Sequence, residues 1–346
     1  MSELLTRAID HLADGQDLSE TDAAEALAEI MAGEATDIEI AGFLIALRVK
    51  GETVDELAGL ARTMRALAAF VPANAADLLD TAGTGGGRTT FNVSTTAALI
   101  AAGAGCTVAK HGSRSSTGLS GSADVLEALG ARIDLDSAAV ARCIEEIGFG
   151  FMFAPYHHPA SARVVRVRKE LKVRTTFNFL GPLTNPAGAR RQLLGVSDMA
   201  KLPKLAGALA LLGTDHALLV SSEDSLDELS ISAPTRVIEV REGRLEEYSV
   251  IPEDLGLTRH PADAIPGGDP LENARIARAI FAGERGAARD LAVLNAGAAI
   301  YAGGRAESLV EGVRLAEQAV DAGLAADKLE AFVALTGELA PQSRQP

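Results

Sequence analysis

Residues 81–96 read "TAGTGGGRTTFNVSTT". Four glycines fall within five residues, then come Arg88, Asn92 and a run of hydroxyls. An apolar segment, "LLDTAG", leads in as a strand, and Asn92 to Ala102 leads out as a helix. Glycines let backbone N–H groups approach an anion closely. The helix N-terminus adds unpaired N–H groups and the positive end of a dipole. Asn92, Ser94 and Thr95 add side-chain donors, and Thr90 is placed to cap the helix. The loop matches neither named phosphate fingerprint. A Walker loop needs Gly-Lys-Ser/Thr, and Arg88 follows the glycines here. A dinucleotide loop needs a third glycine six positions on and an acid about 20 residues later, and neither is present. An anion cradle and a merely tight, capped turn both remain open, although four glycines exceed the need of a turn.

A second loop has the same character. "KHGSRSSTGLSGSAD", Lys110 to Asp124, follows the strand "CTVAKHG" and precedes the helix "SADVLEALG". It combines Lys110, His111 and Arg114 with the hydroxyls of Ser115, Ser116, Thr117, Ser120 and Ser122. "GLSGS" is not a nucleophile elbow, so a Ser120–His111–Asp124 triad is disfavoured, and Asp124 reads as a first-turn helix acid. Two such loops at strand ends imply an elongated, multiply charged ligand. A third segment, "SSEDSLDELS" (Ser221 to Ser230), offers carboxylates instead. Beside two anion loops, Asp227-Glu228 is a candidate Mg²⁺ site, since Mg²⁺ joins one or two carboxylates to phosphate. A solvated acidic loop is the alternative. His157-His158 are adjacent and diverge, so they do not share a metal.

Further out, the chain divides in two. Residues 3 to about 68 read as short helices opened by Ser19-x-x-Asp22, Thr36-x-x-Glu39 and Thr53-x-x-Glu56. From Asp77 short strands alternate with helices, and "RVIEVREGRLEEYSV" reads as a strand pair turning at Glu242-Gly243. Helices fill most of 270–337, and the tail "PQSRQP" reads as disordered. The expected fold class is α/β: a small all-helical N-terminal domain, residues 1–70 and joined by a segment near 163–190, on a larger α/β domain, 71–346, with a central, mostly parallel sheet.

The 346-residue chain is 47% apolar but only 4% aromatic, which suits aliphatic helices on a parallel sheet. A net charge of −15 argues against nucleic-acid and membrane-surface partners. The sign is uneven: 81–123 holds no acid, and 163–191 holds eight Lys or Arg against Glu170 alone. Two cysteines, Cys106 and Cys143, make no framework and read as buried thiols of a reducing cytoplasm. No secretory signal opens the chain, and 89–109 is too broken by Asn92, hydroxyls and glycines to span a membrane.

At these residues the chain resembles the anthranilate phosphoribosyltransferases, in the class that includes nucleoside phosphorylases. The likeness rests on Gly83-Thr84-Gly85-Gly86, Asn92-Val93-Ser94-Thr95, "KHG" with "SGSADVLEALG", "RTTFNFLGPLTNPA" from Arg174, and Asp227-Glu228. It implies transfer of phosphoribose from phosphoribosyl pyrophosphate to the anthranilate nitrogen, in tryptophan biosynthesis, by a cytoplasmic homodimer joined through the helical domain. It implies that Gly83, Gly86, Thr90, Asn92, Ser94, Thr95, Lys110 and Ser122 bind phosphoribosyl pyrophosphate. Gly83, His111, Ser113, His158, Arg168 and Pro182 match positions facing the aromatic acid. Ser94, Asp227 and Glu228 match the ligands of Mg²⁺, two ions being expected. No general base is assigned. The chain departs from the family pattern in a glycine loop one residue shorter, with Gly87 for Asp, in Ser113 for Asn, in Ser161-Ala162-Arg163, and in Glu223-Asp224-Ser225 before the acidic pair. A pyrimidine nucleoside phosphorylase-like enzyme and a non-catalytic nucleic-acid-binding relative are the competing expectations.

Overall fold

A computed structural model describes residues 3–115, 118–265 and 267–340. The hydroxyls of Ser116 and Thr117 and the tail 341–346 lie outside the described residues.

Four helices come first: α1 (Glu3–Ala13), α2 (Glu20–Ala32), α3 (Asp37–Lys50) and α4 (Val54–Ala66). Their starts obey the capping signals. Ser19 accepts from the Asp22 N–H, and Thr36 with Glu39 and Thr53 with Glu56 form reciprocal capping boxes. Then follow β1 (Leu78–Gly83), α5 (Val93–Gly103), β2 (Thr107–Gly112), α6 (Ser122–Ala128), α7 (Ser137–Ile147) and β3 (Phe149–Phe153). Next come the short α8 (Ala154–His157), α9 (Ala162–Leu171), the short α10 (Phe177–Leu180), β4 (Arg191–Gly195) and α11 (Leu202–Leu211). β5 (His216–Ser222), β6 (Thr235–Arg241) and β7 (Arg244–Val250) complete the sheet, and α12 (Pro270–Phe281), α13 (Ala287–Ala302), α14 (Leu309–Asp321) and α15 (Leu324–Leu339) end the fold.

The sheet order is β3-β2-β1-β4-β5-β6-β7. The first five strands are parallel and β6 and β7 are antiparallel, joined by the expected turn at Glu242-Gly243. The chain winds outward from β1 through β2 to β3, then returns to β4 on the other side of β1. The winding direction therefore reverses between β1 and β4. In open parallel sheets a crevice opens at the carboxyl ends of the strands at that switch point.

One face of the sheet carries α5, α7, α13 and α15, with α14 packed on α13 and α5, and the other carries α11, with α4 packed on it. α5 is buried almost all round, as its uncharged sequence requires. α9 is a basic helix with only Val164 and Val167 buried; it packs against α2 and α3. α9 thus returns the chain to the N-terminal helices.

Candidate active site

The glycine loop, the second loop and the acidic turn meet at the switch point, around a cleft of about 590 Å³. Asp227 sits beside the end of β1. A Cβ on Gly195, the β4 partner of Gly83, would lie 1.7 Å from the Asp227 carbonyl oxygen, so the acidic turn lies directly on the strand end. Gly85 and Gly86 adopt left-handed backbone, φ 65° and 86°, which explains two of the four glycines. The loop is held along its length. The Thr84 N–H donates to Gly195 O at 2.9 Å, and the Gly85 N–H donates to Asp227 Oδ2 at 3.0 Å. Arg174 Nη2 and Ser197 Oγ both donate to Gly85 O, at 2.6 and 2.8 Å.

The two anion-suited loops are joined to each other. Asn92 Nδ2 donates to Ser120 O, and Asn92 Oδ1 accepts from Ser120 Oγ and Asn273 Nδ2, all within 3.1 Å. Asn92 therefore spends its side chain bracing the loops. It is the N-cap residue of α5 without a side-chain cap. Thr90 does not cap the helix: its hydroxyl donates to Phe91 O, because the chain takes one more residue than expected to enter the helix. Asp124 behaves as a helix-start acid, accepting from the Gly121 and Ser115 N–H groups and pairing with Arg114.

Lys110 is buried at the end of β2. Its Nζ donates to Thr81 O, and to Thr81 Oγ1 and Ser94 Oγ at 3.2 and 3.3 Å. Burial pushes its ammonium down to about 8 against the pull of Asp80 and Glu228. Across the cleft, burial pushes Asp227 above the usual carboxylate range, and burial plus the neighbouring Asp227 pushes Glu228 well above it. Lys110 and the Ser94 backbone N–H oppose the shift at Glu228. Two crowded carboxylates short of positive charge form a hard-oxygen donor set that suits a divalent cation. Among the described residues no three His, Cys, Asp or Glu side chains form a metal cage. An ion at this pair would complete its shell with ligand or water oxygens, which fits Mg²⁺ and a polyphosphate.

The His111 and His158 rings meet with centroids 5.0 Å apart, tilted by 55°. Burial is the main cause that pushes His158 down to about 4 and His111 well below its ordinary value. Both rings are neutral near pH 7. Arg168 is half-buried, with its guanidinium 5.7 Å from the Phe177 ring centroid. Its Nη2 donates to Asn178 Oδ1 at 3.1 Å, and its buried Nε has no partner among the described residues.

Of the residues singled out in the sequence, Gly83, Gly86, Thr90, Asn92, Ser94, Lys110, His111, Ser113, Ser122, Pro182, Asp227 and Glu228 line the cleft. Thr95, His158 and Arg168 do not: Thr95 and His158 are buried behind the wall, and Arg168 lies on α9. Sequence reasoning missed Arg88, Asn273 and Gly268 as lining residues, and Arg174 and Ser197 as holders of the loop. Only Arg88 carried a local signal, as a lone cation directly after the glycines.

A polyanion-suited cleft at the switch point of an α/β sheet, with helices at its side, is the setting in which the glycosyl transferase family places its site, and the class of this chain follows from its match to that family. The glycosyl transferase family models agree: the helical bundle domain matches residues 6–68 and the a/b domain matches residues 75–326. A curated anthranilate phosphoribosyltransferase from Rubrobacter xylanophilus is 53% identical over 97% of this chain and 99% of its own length. The crystal structure of anthranilate phosphoribosyltransferase from Thermus thermophilus superposes with a TM-score of 0.91 at 44% identity, covering 95% of this chain and 99% of that one. The Saccharomyces cerevisiae enzyme in complex with phosphoribosyl pyrophosphate and Mg gives 0.89 at 29% identity, covering 98% and 99%. The chain belongs to the anthranilate phosphoribosyltransferase family.

Proposed function

We propose that this chain joins the amino nitrogen of anthranilate to C1 of phosphoribosyl pyrophosphate and releases pyrophosphate, in tryptophan biosynthesis. The observation that carries the proposal is the glycine loop held against the acidic pair, with the Gly85 N–H donating to Asp227 Oδ2.

Gly83, Gly86, Thr90, Ser94, Lys110 and Ser122 bind the phosphates, with buried Thr95 supporting the α5 start and Asn92 bracing the loops. Asp227, Glu228 and Ser94 hold Mg²⁺. We assign two ions, because a diphosphate and a phosphate together carry more negative charge than one divalent ion offsets. When bound, the metal supplies charge neutralisation to the leaving pyrophosphate. Backbone N–H groups of the loop and of the α5 start would offset that charge as it develops. Arg168 pairs with the aromatic carboxylate and orients the amine. Gly83, Ser113, Pro182 and His111 form its path, with neutral His158 packed against His111. No side chain is needed to deprotonate the aromatic amine before attack.

We further propose a division into a helical part, 1–70 joined by 163–190, and an α/β part, 71–346, with the aromatic acid entering between them. Exposed apolar Ile38 and Val49 on α3 and Val165 on α9 support a homodimer through this helical part. Two free buried cysteines suit the cytoplasm, and among the described residues no helix is long and apolar enough to cross a membrane.

The test is to mix the protein with Mg²⁺, anthranilate and phosphoribosyl pyrophosphate and follow anthranilate fluorescence. Loss of fluorescence that requires all three supports the proposal. Unchanged fluorescence, with phosphate-dependent cleavage of thymidine in a parallel mixture, would replace it with a phosphorylase.

A further inference from the structure

The glycine loop has almost no side chains with which to fix its own position. Its upstream end is fastened through Thr84. Its downstream end is fastened through one residue, Arg88. The Arg88 N–H donates to Ser225 O at 2.8 Å. Its guanidinium reaches two further segments: Nη2 meets Asp224 Oδ2 at 3.0 Å, and Nη1 donates to Ala262 O at 2.5 Å. Asp224 is itself held, accepting from Ser222 Oγ at 2.6 Å and Ser230 Oγ at 2.9 Å. Both members of the ion pair are largely shielded from water, at 26% and 15% side-chain exposure. Solvent screening therefore weakens it less than a surface pair.

Each anchored segment carries part of the site. Asp224 and Ser225 belong to the turn that presents Asp227 and Glu228. Ala262 leads toward Gly267, where a Cβ would meet the Thr90 backbone at 2.4 Å. Between the two, Gly87 is pressed so closely to the turn that a Cβ would lie 2.8 Å from both Asp227 Oδ1 and Ser225 O. The Arg88 side chain thus ties the downstream end of the loop to the acidic turn, as the Gly85–Asp227 hydrogen bond ties its middle.

We propose that Arg88, with Asp224, is a positioning residue for phosphoribosyl pyrophosphate: a tether that holds the shortened glycine loop in register with the metal carboxylates. This rests on the function proposed above. The rival role, direct contact between Arg88 and the diphosphate, makes the opposite prediction at Asp224. Removing the carboxylate would then free the cation and tighten binding, whereas a tether loosens.

The experiment compares Arg88→Met, Asp224→Asn, the double variant and Arg88→Lys by steady-state kinetics, and by hydrogen exchange of the 84–90 amides without ligand. Each single change is expected to raise the KM for phosphoribosyl pyrophosphate about tenfold, with the anthranilate KM unmoved. The double variant should be no worse than either single one, Arg88→Lys should recover part of the loss, and the loop amides should exchange faster in both single variants. Tighter or unchanged binding in Asp224→Asn, single effects that multiply in the double variant, or wild-type exchange in Arg88→Met would overturn the tether. Exchange needs no substrate, so it reports on the tether even if the proposed reaction fails in the wild-type protein.

Discussion

Gly85 and Asp227, 142 residues apart in the chain, are joined by a hydrogen bond of 3.0 Å from the backbone N–H to Oδ2. The carboxylate assigned to the metal therefore also holds the phosphate loop. Asp227→Asn keeps the shape but loses the charge, so Mg²⁺-dependent turnover should fall at least a hundredfold, in line with lost electrostatic stabilisation of a leaving group. Normal turnover in that variant would show the metal assignment to be wrong.

The acidic pair makes a prediction for stability. Glu228 is held well above 4.5 in the folded chain by burial and by Asp227, with Lys110 opposing. The folded state then binds more protons than the unfolded one between 4.5 and the raised value. Stability present below that window is lost as pH rises through it. Glu228→Gln should therefore raise the melting temperature of the ligand-free protein at pH 8, by roughly 3 °C, and the gain should vanish toward pH 4. Calorimetric scans at both pH values decide it; a Gln variant that melts lower at pH 8 would refute the assigned strain.

Arg168 is a half-buried cation whose nearest assigned polar partner is the neutral amide oxygen of Asn178. A hydrogen bond to a charged group is worth about 2 kcal/mol, so Arg168→Ala should raise the anthranilate KM about thirtyfold. The KM for phosphoribosyl pyrophosphate should stay put. Asn178→Ala should reproduce a fraction of the effect. Equal changes in both KM values would place Arg168 elsewhere in the reaction.

Lys110 offers a pH signature. With its ammonium at about 8 in the ligand-free protein, the positive charge beneath the phosphates fades as pH rises past that value. Affinity for phosphoribosyl pyrophosphate, measured by calorimetry, should fall between pH 7 and 9 and the slope should flatten in Lys110→Met. By contrast, neutral His111 and His158 should leave no inflection at the ordinary histidine value of 6.5. An inflection removed by His158→Asn would contradict their neutrality.

Ser113 lines the cleft where the family pattern has Asn. An amide offers both a donor and an acceptor, a hydroxyl a single short reach. Ser113→Asn should lower the anthranilate KM about threefold; a higher KM would mean that the cleft has adapted to the smaller side chain.

Local chemistry was legible in the sequence wherever a segment carries its own signal. The glycine run, the capping boxes and the adjacent carboxylates are each fixed by neighbours within a few positions, and the structure brings the three loops together. The ties between distant segments were not legible. Arg88 and Asp224 stand 136 positions apart, and Arg174 and Gly85 stand 89 apart; nothing in either neighbourhood names its partner. Thr90 looked like a cap because it precedes an apolar run, but the helix begins beyond it. α9 was hidden because charge dominates it and only two of its residues are buried.

The most direct test of the central claim is a crystal structure of the protein with phosphoribosyl pyrophosphate and Mg²⁺. The account predicts the diphosphate between the 83–88 backbone N–H groups and the Asp227-Glu228 carboxylates, with metal density touching both. A ligand seated in another part of the molecule, with the glycine loop and acidic pair untouched, would contradict it.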